Sequence, residues 1–320
     1  MHISRSNKVN IGITMGDPAG IGPEVTLKAL ASSKVRGLAN FLIIGDGASI
    51  YETAKKCRLK VNSPILDLSN VPQNSFSYGK IRPSFGRVAI AYLDKALELI
   101  DEGELDGLVT APVNKESVRL AGFRDFKGHT EYIAEKTGAK DVAMMFVGGE
   151  FKITLVTRHV PLSEVSRNLS VNSILSTIRL TDQYLKKFFN IRHPRIGVAG
   201  LNPHAGENGA FGDEETKLIK PAVKKASRFV SNILGPIPPD VIFYEWANKK
   251  FDAVIAMYHD QALIPFKMLH FKDGVNLTLG LPFVRTSPDH GTAFDIAGKG
   301  VADPTSMIEA IKLACRLCSP

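Results

Sequence analysis

The stretch DAVIAMYHD, residues 252–260, is an apolar run that stops at a histidine and a carboxylate. It is short, carries branched residues and is bounded by polar ones, the pattern of a strand buried in a core. Taken alone, His259 is weak evidence and reads more readily as a hydrogen-bonded structural residue. The arrangement recurs twice, in FKITLVTRH (151–159) and in RIGVAGLNPH (195–204). Each time a strand delivers a histidine just past its C-terminal end. Ligands of open α/β sheets sit in the crevice outside the carboxyl ends of the strands. Three neutral imidazoles converging there, His159, His204 and His259, would suit a divalent metal with positions left open for substrate or water. Arg158, Asn202 and Asp260 stand by these histidines as polar groups able to fix a ring, and the Asp260 carboxylate is the best suited. Three unrelated loop histidines would show the same spacing, so both readings stand at this point.

Strand-like and helix-like stretches alternate along the rest of the chain. VNIGIT, FLIIG, LDGLVTA, KITLVT, RIGVAG, DAVIAM and VNLTLG read as strands. Helical patterns run over about 23–31, 86–101, 171–189 and 214–229, and SMIEAIKLACRLC closes the chain as another. This alternation defines an α/β protein with largely parallel sheets covered by helices. No internal repeat or low-complexity linker is present. Residues 64–84 are polar and turn-rich and read as the loosest part of the fold.

Composition narrows the function. The 320 residues are 44% hydrophobic and 22% charged, enough for one large or two medium domains with ample core. No apolar stretch reaches membrane-spanning length, and MHISRSNKVN lacks the apolar segment of a secretory signal, so the expected compartment is the cytoplasm. The net charge of +8 favours an anionic ligand, but the basic residues are dispersed and not interleaved with aromatics, which does not support nucleic acid binding. Three cysteines make no disulfide framework, and Cys315 and Cys318 read as ordinary residues of the last helix.

Four further motifs carry candidate chemistry. ITMGDPAGIGPE (13–24) is a glycine-rich turn from strand to helix, with Pro23 at the first helical turn. It is neither a P-loop nor a dinucleotide fingerprint, and it reads as a tight connection or as backbone brought close to a ligand. GHTEY (128–132) opens a helix, and His129 and Thr130 there either cap it or offer hydrogen bonds to a phosphate or carboxylate. LNPHAGENGAFGDEE (201–215) is a long shaped loop around His204. In the stretch from Lys267 to Pro304, Lys267, Asn276 and Arg285 spread two cations and an amide over strand and loop positions, as an anionic ligand requires. HGTAFDIAGKG (290–300), with Asp295 inside it, would wrap an adenosine or serve as a turn before the last helix.

Taken in order, GDPAGIGPE, GHTEY, LNPHAGENG, MYHDQ, LGLPFVRTSPDHGTA and FDIAGKG resemble the 4-hydroxythreonine-4-phosphate dehydrogenase family of pyridoxal phosphate biosynthesis. The resemblance covers nearly the whole chain. GDPAGIGPE and HGTAFDIAGKG are also similar to motifs of the isocitrate and isopropylmalate dehydrogenases. It implies two α/β/α domains of that dehydrogenase-like fold with an active-site cleft between them. The expected division is 1–128 with 290–320, carrying the cofactor loop, and 129–289, carrying metal ligands and dimer contacts. It implies a homodimer that shares a divalent metal (zinc, magnesium, cobalt or manganese) held by His159, His204 and His259. Substrate contacts are implied at His129, Thr130, Lys267, Asn276 and Arg285, and acidic residues that maintain the site at Asp240 and Asp260. NAD or NADP would lie near Gly291, Thr292 and Asp295, with Lys267 assisting proton transfer. The implied reaction oxidises the substrate at C3 and then decarboxylates it to 3-amino-1-hydroxyacetone 1-phosphate. A related enzyme acting on 4-phosphothreonate or 4-phosphoerythronate is the alternative within the family. A non-catalytic metal- or nucleotide-binding module is the alternative outside it.

Overall fold

The computed structural model describes residues 8–71 and 76–319. Most of the N-terminal stretch read above, and residues 72–75 of the polar segment, lie outside the described residues. The chain forms two compact units, Met1–Gly138 with Leu281–Pro320, and Ala139–Gly280.

The first unit opens with β1 (Asn10–Thr14), α1 (Gly22–Ala31), β2 (Asn40–Gly45), α2 (Gly47–Cys57), β3 (Ile65–Asp67), α3 (Pro83–Asp101), β4 (Gly107–Thr110), α4 (Lys115–Leu120) and α5 (His129–Thr137). The second holds β5 (Ala143–Gly148), β6 (Phe151–Leu155), α6 (Val165–Asn168), α7 (Val171–Phe188), β7 (Arg195–Ala199), α8 (Lys220–Ala226), β8 (Asn232–Ile237), α9 (Pro239–Ala247), β9 (Ala253–Ala256), α10 (His259–His270) and β10 (Val275–Leu279). The chain then returns to the first unit as β11 (Val284–Pro288) and α11 (Thr305–Cys318).

In the first unit the strands run in the order β3-β2-β1-β4-β11 and every pairing is parallel. Helix α1 carries Pro23 in its first turn, where the missing N–H falls at a position with no intrahelical partner. Gly16, at φ 71, lets the chain leave β1; a side chain there would meet the Pro112 carbonyl at 2.2 Å. The polar segment is pinned on one side, because the buried Asp46 carboxylate accepts from the amides of Asn70 and Val71 at 2.7 and 2.9 Å. Helix α5 stands with this unit and not beyond the expected division at residue 128. Tyr132 donates to Asp94 of α3 at 2.6 Å and packs with Phe123 and Phe126 against Ile90 and Val118.

The second unit has the order β10-β5-β6-β9-β7-β8. Pairings among β6, β9, β7 and β8 are parallel, while β5 is antiparallel to both β6 and β10. Strand β9 shows why its sequence is apolar throughout. Ala253 and Ile255 point into the core beneath α7 and α8, and Val254 and Ala256 into the core that contains Ile242 of α9 and Phe266 of α10. Helix α7 begins with a reciprocal cap, Ser170 accepting from the Ser173 amide while Ser173 accepts from the Ser170 amide, both at 3.0 Å.

Candidate active site

Strands β6, β9 and β7 are consecutive parallel neighbours, so their carboxyl ends share one edge of the sheet. His159 follows β6, His204 follows β7, and His259 is the first residue of α10 after β9. The rings of His159 and His259 lie 5.8 Å apart, centre to centre. The Nδ1 of His259 meets the Asp260 carboxylate at 2.7 Å, which leaves Nε2 as the nitrogen available to a ligand. His204 sits apart from this pair in a backbone segment where residues 204–208 all have positive φ. Its Nδ1 is 3.6 Å from Glu207 and its ring meets Phe211 edge-on. Among the described residues, no group of three or more histidine, cysteine, aspartate or glutamate side chains is gathered to hold a metal.

This edge is built by two buried polar groups, Glu215 and Gln261. Glu215 accepts from the amides of Leu201 and Asn202, both at 2.7 Å, and from the Asn202 side chain at 3.0 Å, and so holds the loop that carries His204. Gln261 accepts from the Met257 amide and donates to the Gly200 carbonyl, each at 2.7 Å, fastening the end of β9 to the end of β7. Such residues are found only once the fold brings the strands together.

The other site residues of the second unit are spread over its elements. Lys267 lies on α10, and not on a strand or loop as expected, with its ammonium 5.4 Å from the Phe271 ring centre. Asn276 is on β10, and its Oδ1 is buried with no hydrogen-bond partner among the described residues. Asp240 is exposed in the first turn of α9.

In the first unit, His129 and Thr130 form the start of α5, whose N-cap is Gly128, a residue with no side chain to cap the helix. Arg285 is on β11, only 2% exposed, and its guanidinium donates to Thr110 Oγ1 on the neighbouring β4, from Nε at 3.2 Å. Burial pushes the Arg285 guanidinium down to about 10, with Glu131 partly opposing. Burial first, then the charges of Arg285 and Lys115, hold His129 well below the usual histidine range, so the ring is neutral at pH 7. Lys115, at the start of α4, is itself lowered by burial. The cluster is therefore two cations, one buried and one half-buried, beside a neutral imidazole at the start of α5, with Glu131 as the counter-charge that acts on both cations. Lys115 was not among the residues expected from sequence; APVNK carries no signal of its own.

The loop containing Gly291, Thr292 and Asp295 lies against the first glycine-rich turn. The Ile21 amide donates to the Thr292 carbonyl at 3.0 Å, and a side chain at Gly20 would meet Thr292 at 3.0 Å. Among the described residues nothing stands within 4 Å of the place where a Gly291 side chain would project, and Asp295 is exposed. Asp17 of the same turn is buried, and burial raises its carboxyl to about 6.

These features define an α/β protein with a cluster of cations around a neutral histidine and a sheet edge of histidines beside a carboxylate. A family model for the pyridoxal phosphate biosynthetic protein PdxA matches residues 25–314. The chain is 47% identical to a 4-hydroxythreonine-4-phosphate dehydrogenase of Desulforapulum autotrophicum, over 96% of this chain and 95% of that protein. It is 40% identical to a D-threonate 4-phosphate dehydrogenase of Salmonella typhimurium, over 96% and 98%. The crystal structure of 4-hydroxythreonine-4-phosphate dehydrogenase from Klebsiella pneumoniae superposes with a TM-score of 0.88 at 37% identity, covering 99% of this chain and all of that one. The protein belongs to the PdxA family.

Proposed function

We propose that the protein is a nicotinamide-linked dehydrogenase that oxidises 4-phosphooxy-L-threonine at C3, with decarboxylation to 3-amino-1-hydroxyacetone 1-phosphate. The observation that carries this is the buried Arg285 and the half-buried Lys115 around neutral His129, which call for an anionic group of the kind a phosphate ester supplies. Arg285 and Thr130 bind the anion, and His129, uncharged, hydrogen-bonds without adding repulsion between the cations. Asn276 offers its buried Oδ1 to a substrate donor. Lys267 takes up the proton that the C3 hydroxyl loses. The oxidised substrate is a 3-keto acid, and its carboxylate, β to the new carbonyl, leaves as carbon dioxide.

The residues fit a divalent ion. With ring nitrogens about 2.1 Å from a tetrahedral ion, two imidazole centres stand roughly 5 Å apart, close to the 5.8 Å between His159 and His259. His159 and His259 would hold the ion, with Asp260 fixing the His259 ring and Asp240 maintaining the surroundings. His204 completes the set from a second copy of the chain. Ile264 and Met268 on α10 and Phe271 just past its end, exposed at helical spacing, form the apolar stripe that the second copy covers. Gly291, Thr292 and Asp295 receive NAD or NADP, the open space over Gly291 admitting a ring and the exposed Asp295 suiting a ribose hydroxyl. When bound, the metal supplies Lewis-acid polarisation of the hydroxyl and the nicotinamide accepts the hydride. A cytoplasmic location accords with Cys57, Cys315 and Cys318 being free thiols.

The identity to a D-threonate 4-phosphate dehydrogenase supports a second reading, in which a hydroxyl replaces the substrate amine. One assay separates the two. Cofactor reduction is followed with 4-phosphohydroxythreonine, 4-phosphothreonate, 4-phosphoerythronate and 4-hydroxythreonine, each with added divalent metal. Preference for the first is expected. Preference for a threonate or erythronate ester overturns the substrate, and equal use of unphosphorylated 4-hydroxythreonine overturns the anion site.

A further inference from the structure

We propose that Glu24 and Lys28 are positioning residues that hold the backbone at residues 300–302 in the shape the dinucleotide requires. This rests on the assignment of the neighbouring loop to the cofactor.

Glu24 closes the GDPAGIGPE turn on α1 and is only 1% exposed. Its Oε1 accepts from Lys28 Nζ at 2.8 Å and from the Ala302 amide at 2.8 Å. Its Oε2 accepts from the Gly300 amide at 3.2 Å and lies 3.6 Å from the Cys57 thiol. Lys28, one helical turn on, donates to the carbonyls of Gly300 and Ala302 at 2.9 and 2.7 Å. All three ammonium protons thus have acceptors. The pair grips both the N–H and the C=O of two residues that lie more than 270 positions away in the chain.

A confined ion pair is a weak source of stability, because apolar residues of similar volume often serve as well or better. What apolar residues cannot do is fix four peptide groups in direction. Gly300 needs that direction, since its φ is 75. The grip lies just past Asp295 and ends the segment whose beginning, at Thr292, is fixed by the Ile21 amide. Both ends of the candidate cofactor segment are therefore anchored to the same turn and helix. Neither charge is needed for hydride transfer itself, so the effect belongs to dinucleotide binding.

The test uses the full-length protein with K28M, K28R, E24Q and D295A. Each is titrated calorimetrically with NAD and with NADP, assayed at steady state, and followed by amide hydrogen exchange. For K28M the expected result is faster exchange at Gly300 and Ala302 and dinucleotide Kd and KM raised about tenfold or more. The kcat at saturating dinucleotide and the KM for phosphorylated substrate should stay within about twofold. K28R, which keeps the charge and donors, should recover most of the affinity, and E24Q should give the same pattern as K28M if K28M does not fold. Faster exchange with unchanged dinucleotide affinity overturns the inference, as does a fall in kcat with dinucleotide KM fixed. If D295A weakens the dinucleotide and K28M and E24Q do not, the positioning role alone fails. If D295A also leaves affinity intact, it is the assignment of the loop that fails.

Discussion

Replacing Asp17 by Asn should stabilise the protein, and the gain should depend on pH. Asp17 is fully buried in the turn after β1, with Oδ1 accepting from the Ala19 amide at 2.9 Å. Its carboxyl is raised from 3.8 to about 6, chiefly by desolvation. Below about pH 4 the group is protonated in folded and unfolded chains alike, so its favourable contribution is fully present. As the pH rises toward 6 the unfolded chain ionises first, and stability is lost at about 1.4 kcal/mol per pH unit. The shift is 6 − 3.8, about 2 units, which amounts to roughly 3 kcal/mol above pH 6. Asn keeps the acceptor for Ala19 and cannot ionise. Urea unfolding of parent and variant at pH 4, 5, 6 and 7 should show a stability gap that opens from near zero to about 3 kcal/mol and then levels off. A gap that is the same at every pH would refute the reasoning, because it would mean that no buried charge had been removed.

Arg285→Ala should lower kcat/KM for the phosphorylated substrate about ten- to a hundred-fold, as loss of a charge-assisted contact costs roughly 1.5–3 kcal/mol, and unchanged kinetics would remove Arg285 from the anion site. His204→Ala should abolish stoichiometric metal without changing the circular dichroism spectrum; a variant that still binds one ion per chain, measured by elemental analysis, would exclude this residue as a ligand. Met268→Glu places a charge on the exposed stripe of α10, where Met268 is 81% exposed, and should shift the protein toward monomer in sedimentation velocity while lowering metal content. A dimer that survives this change would locate the interface elsewhere.

The strands that carry the histidines were legible because they are buried on both faces. The apolar runs before His159, His204 and His259 leave no room for a helical period, and a parallel sheet delivers successive strand ends to one edge. Strand β5 was missed because the alternation of strand and helix is broken there. AMMFVG and FKITL form a hairpin with only Gly149 and Glu150 between them. Helix α10 was hidden by Pro265 in its interior and by apolar residues on its exposed side, which blur the usual two-faced pattern. That is why Lys267 was expected on a strand or loop. The anion cluster was half legible. His129 and Thr130 announce a helix start, but Thr110 and Arg285 are 175 positions apart and meet only because β11 lies beside β4. Lys115 and Asp17 owe their character to burial, which a sequence does not state.

The return of the chain to its first unit sets an order on its synthesis. All strands of the second unit, β5 to β10, are synthesised before β11 and α11. The second unit can close while the first still lacks the strand that pairs with β4 and the helix that packs on both. During that interval β4 presents an unpaired edge, the kind of surface on which nascent chains associate. The strand that seals this edge also brings Arg285, so the buried cation beside His129 is among the last parts of the first unit to be put in place.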